Sequence, residues 1–534
     1  MNEEIRCIGA EALKAKLHDG REIAILDARE EATFDKRHLF MASCVPLSRM
    51  ELIVNDLIPR RSTRVIWCDD GEGLAGLAAA RMSALGYTEV SWLDGGIAAW
   101  EQAGYRLYNG VHVPSKAFAE VVEHEAQTPW ITAEALKGMI DRSEDMVIFD
   151  SRSYEEYHGN SIPGAISVPG AELAYRFTDL TPSPDTLVIV NCGGRTRGII
   201  GAQSLINAGF PNPIVSLKNG TQAWHLAGYD VIDGATRQPP EVSAAGLEAA
   251  RAAAARVAER FSISTIDKAT FDAWRAEAES RTLYVLDVRT PQEYEAGHVP
   301  GSLPAPGGQL VQETDRYMAA WGARVVLLDD NGVRATMTGS WLKQMGWMDV
   351  AIMRLDEAGG ASATGPHIPQ ALGLEKVSTS TIEASALQEA LAAGTAQVMD
   401  LDWSRRYYQG HIPGAWFAIR ARLRDALTQL PPTETIVLTS PDGVLAQLAA
   451  ADLDGVASVP IKVLSGGTQA WREAGFPLEQ GATRLAHEVD DIRLRAREES
   501  GNREEAMRAY LTWEIELVDQ MATEEDHRFQ VATE

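Results

Sequence analysis

Four segments of the chain open in the same way: "IAILDAREEATFDKRHL", "MVIFDSRSYEEYHGNSIPGA", "LYVLDVRTPQEYEAGHVPGS" and "AQVMDLDWSRRYYQGHIPGA". Their anchor aspartates, Asp27, Asp150, Asp287 and Asp400, fall roughly 110–140 residues apart, the size of a small domain rather than of a solenoid repeat. A chain built this way is expected to fold as four copies of one globular unit. Each copy reads as an apolar strand, a polar turn and a short amphipathic helix carrying Phe34, Tyr157, Tyr294 or Tyr407. A second apolar strand follows, "RVIWC", "LVIVN", "RVVLL" or "TIVLT", and then a helix. In the first three copies that helix ends near Gly86, Gly209 or Gly346, where glycine supplies a left-handed cap. Copies one, two and four close with "VSWLDGGIAAWEQAGY", "IVSLKNGTQAWHLAGY" and "IKVLSGGTQAWREAGF"; copy three has "IMRLDEAGGASATG" and is expected to have a degraded last helix. Alternating strand and helix predicts an α/β fold, each copy a small parallel sheet flanked by helices.

The ordered motifs D-x-R, E-Y-x-x-G-H-x-P-G-A, strand-cysteine-loop-helix and L-x-G-G-x-x-A-W resemble the rhodanese (sulfurtransferase) domain in tandem. On that resemblance the chain divides into rhodanese-like domains at residues 1–112, 125–235, 261–372 and 376–480, a helical linker at 241–260 and a helical tail at 482–534. The linker is alanine-rich, with Leu247, Ala250, Ala254, Val257 and Phe261 near one helical face. In the tail Ser500, Gly501 and Asn502 interrupt the helical pattern, and Met507, Leu511, Ile515 and Val518 then form an apolar stripe. That stripe is expected to dock on the protein's own body, with a homodimer contact as the alternative.

A formal net charge of -26 opposes attraction to nucleic acid or to an anionic membrane. The amino terminus lacks a basic start followed by an apolar core, and no apolar run is long enough to span a bilayer, so the chain reads as cytoplasmic. The cysteines, Cys7, Cys44, Cys68 and Cys192, form no C-x-x-C pair and no cluster with histidines. Free thiols, no metal and no cofactor are expected. His298 and His411 belong to turns in the family pattern.

The resemblance implies a nucleophilic cysteine that begins a six-residue loop of inward-pointing amides, at the end of a parallel strand and before a helix. Aligned on the helix-ending glycine, that position holds Asp69, Cys192 and Asp329 in copies one to three, and the strand of copy four places Ser440 there. Cys68 lies one residue short and reads as a strand-end core cysteine. Copy two alone is expected to be catalytic. Sulfane-sulfur transfer needs a thiolate that holds sulfur as a persulfide, and an ordinary thiol is mostly protonated near neutral pH. In "CGGRTR", Gly193 and Gly194 permit the dihedrals of a ring of amides, and the following helix aims its positive end at the sulfur. Arg195 and Arg197 add fixed positive charge. Arg197 is expected to contact the donor or cover the cradle, Arg195 to project toward solvent at the mouth, and Thr196 to contribute an amide or hydroxyl hydrogen bond. Arg152 is expected to pack with Asp150 beneath the loop.

The implied activity is sulfurtransfer from a small anionic donor, thiosulfate or a low-molecular-weight persulfide, to a thiol or cyanide acceptor through a Cys192 persulfide. The alternative is a persulfide carrier or binding scaffold without turnover. A phosphatase of the same fold ranks below both, because by resemblance its loop is one residue longer than Cys192–Arg197.

Overall fold

The computed structural model describes residues 6–495, 498 and 501–532. It contains four five-stranded sheets, and with strands numbered within each copy, every sheet runs in the order 1-5-4-2-3. All neighbouring strands are parallel. The fourth strands, Val65–Cys68, Leu187–Asn191, Arg324–Asp329 and Thr435–Thr439, are almost wholly buried, because helices cover both sheet faces. Each runs between the second and fifth strands, so its carboxyl end faces the crevice where an open α/β sheet reverses its strand order.

The repeated motifs serve the packing of each copy. In D-x-R the arginine folds back on its aspartate through two charge-assisted bonds: Arg29 on Asp27 (2.9 and 2.6 Å), Arg152 on Asp150 (2.8 and 2.7 Å), Arg289 on Asp287 (2.9 and 2.7 Å). Tyr157, Tyr294 and Tyr407 donate their hydroxyls to the carbonyls of Ala165, Ser302 and Ala415. In the closing A-W motif Trp100, Trp224 and Trp471 are buried, each indole N–H donating to a carbonyl six residues on. Between the strand Val350–Arg354 and the short turn of helix Leu374–Lys376, copy three has no such helix.

Copy four departs from D-x-R, having Asp402 where the others have arginine. Burial pushes the Asp400 carboxyl up to about 7, and the charge of Asp402 adds to the rise. A folded value above the unfolded one means that the contribution of Asp400 is fully present below the ordinary aspartate range. It is lost as pH rises toward about 7, and above that the ionised group is a constant cost. Asp400→Asn should therefore stabilise the protein at pH 8.5, by up to about 4 kcal/mol, and much less at pH 5, as read from urea unfolding at the two pH values.

Three further helices lie outside the repeats: Val113–Glu125 between copies one and two, Ala244–Arg260 between copies two and three, and Arg503–Met521 near the end of the chain. Copies two and three meet in a pseudo-symmetric exchange. Arg197 binds Glu156 of its own copy and Gln309 of copy three, while Arg334 binds Glu293 of its own copy and Glu172 of copy two. Copies one and four are joined by Arg420 on Glu51 (2.8 and 3.0 Å). The helix Arg503–Met521 docks on the protein's own body, packing on Val113–Glu125 through Met507, Leu511, Glu514, Leu517 and Met521. The expected stripe is corrected at two positions: Ile515 is 44% exposed and Val518 only half-buried, because Glu514 and Leu517 take the inward places. Ser500 falls outside the described residues.

Candidate active site

Strand register fixes the equivalent position in each copy. Asp150 pairs with Asn191, and Asp27 pairs with Cys68, so Cys68 stands where copy two has Asn191, one residue before the turn. The amide six residues further on then identifies the cradle. The N–H of Ala75 donates to Asp69 Oδ2 (3.0 Å), that of Ala335 to Asp329 Oδ2 (3.0 Å), and that of Ala446 to Ser440 Oγ (3.3 Å). In copy two the corresponding residue, Gly198, lies against the Cys192 sulfur, and its amide favours the thiolate. Asp69 takes a further amide from Gly71, and Asp329 takes those of Asn331 and Gly332. In three copies an oxygen-bearing side chain satisfies the amides that in copy two face a thiol.

Cys68 is fully buried, its Sγ directed at the carbonyl of Leu26 (3.5 Å), and burial pushes its thiol well up. Cys68→Ala should cost roughly 1 kcal/mol of stability, measured by chemical unfolding.

Cys192 is 2% exposed, between the strand Leu187–Asn191 and the helix Thr196–Asn207. Burial pushes its thiol up from the ordinary value; Arg197 and the amides of Gly198 and Gly194 pull it down, and Glu514 adds to the rise. The net direction is upward, contrary to the expectation of a strongly stabilised thiolate. The reason lies in what holds the two arginines. Arg197 is bidentate on Glu156 (2.6 and 2.9 Å), so much of its charge is answered before it reaches the sulfur. Arg195 does not project to solvent as expected: it is 4% exposed and bidentate on Glu120 (2.7 and 2.6 Å), with Glu123 and Asn219 also bound. Helix Val113–Glu125 covers the place where solvent was expected. Thr196 directs its hydroxyl at Glu514 (3.4 Å). Arg152 lies beneath the loop on Asp150, its Cδ 3.7 Å from the point where a Gly193 side chain would begin.

The glycines of the loop serve a different purpose from the one expected. Neither Gly193 nor Gly194 lies in the left-handed region. A Cβ on Gly194 would sit 3.2 Å from Glu514 Oε2, 3.4 Å from Tyr510 and 3.5 Å from Gln222, so its bareness lets the C-terminal helix approach the loop. The strained glycine is Gly220, at φ +55, whose Cβ would fall 2.3 Å from the Cys192 carbonyl oxygen and 2.7 Å from that of Gly194. The neighbouring Thr221 N–H donates to the same Cys192 carbonyl (2.8 Å) and Gln222 N–H to that of Gly193 (3.1 Å). The closing motif therefore clamps the cradle from behind, and Gly96 and Gly467 press on the Asp69 and Ser440 carbonyls in the same way.

Reasoning from the repeats missed the groups that the flanking helices bring to the mouth. Glu120 is buried against Arg195, and burial holds its carboxyl up at about 7. Lys116, 3% exposed, lies over the rings of Tyr510 (5.4 Å) and Trp513 (5.0 Å), and burial pushes it down to about 8. Tyr510 donates to Glu514 (2.7 Å). The one available signal was a polar residue, Glu514, within the apolar stripe of the tail. Among the described residues no cluster of His, Cys, Asp and Glu is placed to hold a metal, and no helix is long and apolar enough to cross a membrane.

Comparison with known proteins agrees with this architecture. The rhodanese-like domain family matches residues 9–103, 132–227, 270–356 and 383–474. A crystal structure of a thiosulfate sulfurtransferase from Pseudomonas aeruginosa is 45% identical, covering 99% of this chain and 100% of that one, with a TM-score of 0.95. A curated thiosulfate sulfurtransferase of Pseudomonas aeruginosa is 26% identical over 152 residues, 24% of this chain and 55% of that protein. YrkF of Bacillus subtilis, named as a candidate sulfur carrier protein, is 28% identical over 136 residues, 24% of this chain and 72% of its own length.

Proposed function

The chain belongs to the rhodanese-like family, and from that premise we propose that it is a sulfurtransferase of the thiosulfate type that works through a persulfide on Cys192. The observation that carries the reading is the shared amide register: of four equivalent cradles, only that of copy two holds sulfur instead of an Asp or Ser oxygen. In the first step the Cys192 thiolate attacks the outer sulfur of thiosulfate. A sulfur–sulfur bond to Cys192 forms, the bond to the sulfite sulfur breaks, and its electron pair leaves with sulfite. The amides of Gly194 and Gly198 and the amino-terminal end of helix Thr196–Asn207, which border Cys192, would hold the resulting persulfide anion. Cyanide or a thiolate acceptor then attacks the outer sulfur and returns the Cys192 thiolate. A low-molecular-weight persulfide as donor follows the same bond changes, with its thiolate as leaving group.

A persulfide carrier without turnover is the second reading, favoured by the near-complete burial of Cys192. The proposed partners are thus small: an anionic donor and a thiol or cyanide acceptor. A second copy of the chain meeting through the tail would have to use its outer face, where Ile515 is exposed. Purified protein given thiosulfate and cyanide should release thiocyanate and sulfite in equal amounts. With thiosulfate alone, intact mass should show one added sulfur atom, lost on adding cyanide. Persulfide formation without turnover would favour the carrier; absence of both would reject both readings.

A further inference from the structure

The C-terminal helix Arg503–Met521 lies outside all four repeats, yet it delivers a carboxyl to the reacting copy. Glu514 is 1% exposed. Its Oε1 accepts from Tyr510 (2.7 Å) and Thr196 (3.4 Å), and its Oε2 is buried with no hydrogen-bond partner among the described residues. That free oxygen lies 3.2 Å from where a side chain on Gly194 would begin, beside Gln222, whose own Oε1 is also unpartnered. An unsatisfied buried carboxyl oxygen costs stability and is unexplained by packing alone.

We propose that Glu514 is a specificity-determining residue of the Cys192 site: its neutral form admits an inorganic dianion as sulfur donor, and its ionised form repels the dianion and holds Cys192 as the thiol. The inference rests on the sulfurtransferase reading of that cysteine. Attack by a thiolate on thiosulfate gathers three negative charges in the cradle, two from the donor and one from the nucleophile. A carboxylate beside Gly194 opposes all three, whereas a carboxylic acid opposes none and carries a proton on an oxygen that has no other partner.

The surrounding charges set the balance. Lys116 and Glu120 face Glu514 from helix Val113–Glu125, Arg195 and Thr196 from the cradle, Tyr510 from its own helix, and Arg493 lies over the Tyr510 ring at 5.4 Å. Arg195 is already held by Glu120 and Glu123, and Arg197 by Glu156. Lys116 therefore remains the cation without a carboxylate within bonding distance, and it forms no ion pair with Glu514 among the described residues. Burial raises the Glu514 carboxyl, and its charge in turn raises the Cys192 thiol, so the two acids compete to be the single anion of the site.

The test is Glu514→Gln, which keeps shape and removes the charge. Cys192 ionisation is read from thiolate absorbance near 240 nm as the difference from Cys192→Ala in each background. Donor choice is read from kcat/KM for thiosulfate, a dianion, against methanethiosulfonate, a monoanion, between pH 6 and 9. The Cys192 titration should move to lower pH by about one unit, and the thiosulfate to methanethiosulfonate ratio should rise about tenfold at pH 8. A merely structural role would alter both donors alike and leave the titration in place, and that result overturns the proposal. Should the wild-type protein fail to turn over thiosulfate, the sulfurtransferase reading fails separately, and an unmoved titration in Glu514→Gln still overturns this one. If Glu514→Gln does not fold, Tyr510→Phe, which removes the donor to Oε1 and so favours the neutral acid, should shift the titration in the same direction by less; no shift there overturns it.

Discussion

Replacing Cys192 by alanine should reduce thiocyanate formation from thiosulfate and cyanide by a factor of at least about 10⁴, to the level of the uncatalysed reaction. The size of the loss follows from the lack of a substitute. Asp69 and Asp329 already accept amides within their cradles, and neither a carboxylate nor the Ser440 hydroxyl, which has no basic neighbour, can carry sulfane sulfur through a persulfide. Cys68 is turned into the sheet toward the Leu26 carbonyl. The small volume change at a buried thiol leaves the fold intact, so the variant should retain its unfolding midpoint within a few degrees. Persistent cysteine-independent turnover would require a different reacting group and would sink the assignment.

The second large effect lies at a residue behind the cradle, against the carbonyls of Cys192 and Gly194. Gly220→Ala places a methyl 2.3 Å from the Cys192 carbonyl oxygen, on a backbone at φ +55. Two backbone carbonyls of the cradle, those of Cys192 and Gly194, would have to move, and neither is a flexible side-chain end. A displacement of the order of 1 Å at the reacting atom costs about 10²-fold in rate, and the combined strain costs about 2–4 kcal/mol in stability. Controls separate the two consequences. Gly228→Ala, at φ +79 with no atom nearby, should cost about 1–2 kcal/mol and leave turnover unchanged. Gly96→Ala and Gly467→Ala, which press on the Asp69 and Ser440 carbonyls, should lower stability as Gly220→Ala does while turnover persists. Equal loss of turnover in all three clamp variants would mean that the copies act as one mechanical unit rather than as one active copy on three supports.

Much of this molecule is legible in its sequence because the repeat supplies internal comparisons. The strands are apolar runs of the length a doubly covered parallel strand needs, the D-x-R pair recurs at the first turn of three of the four copies, and the cradle position can be counted from Gly209 and its equivalents in copies one and three. Counting in that way separated Asp69 from Cys68, and strand pairing at Asp27 and Asp150 agrees with it. What could not be read was the electrostatic state of the site. "CGGRTR" presents two arginines as free charges, but Glu120 and Glu123 reach Arg195 across more than seventy residues, and Gln309 reaches Arg197 across more than a hundred. The glycine pair suggested backbone strain in the loop, whereas the strain lies in Gly220, on the helix that clamps it.

The sequence by itself therefore determined the unit, its number, and which copy has a cysteine at the counted cradle position, because those depend on periodicity and on residue type. Tertiary structure alone decided how exposed that cysteine is and what charges surround it. Helices outside the repeat, Val113–Glu125 and Arg503–Met521, close over Cys192 and bring Lys116, Glu120, Tyr510 and Glu514 to it. Charge and desolvation are properties of everything within a few ångströms, and in this fold the nearest groups come from segments that share no pattern with the loop they surround.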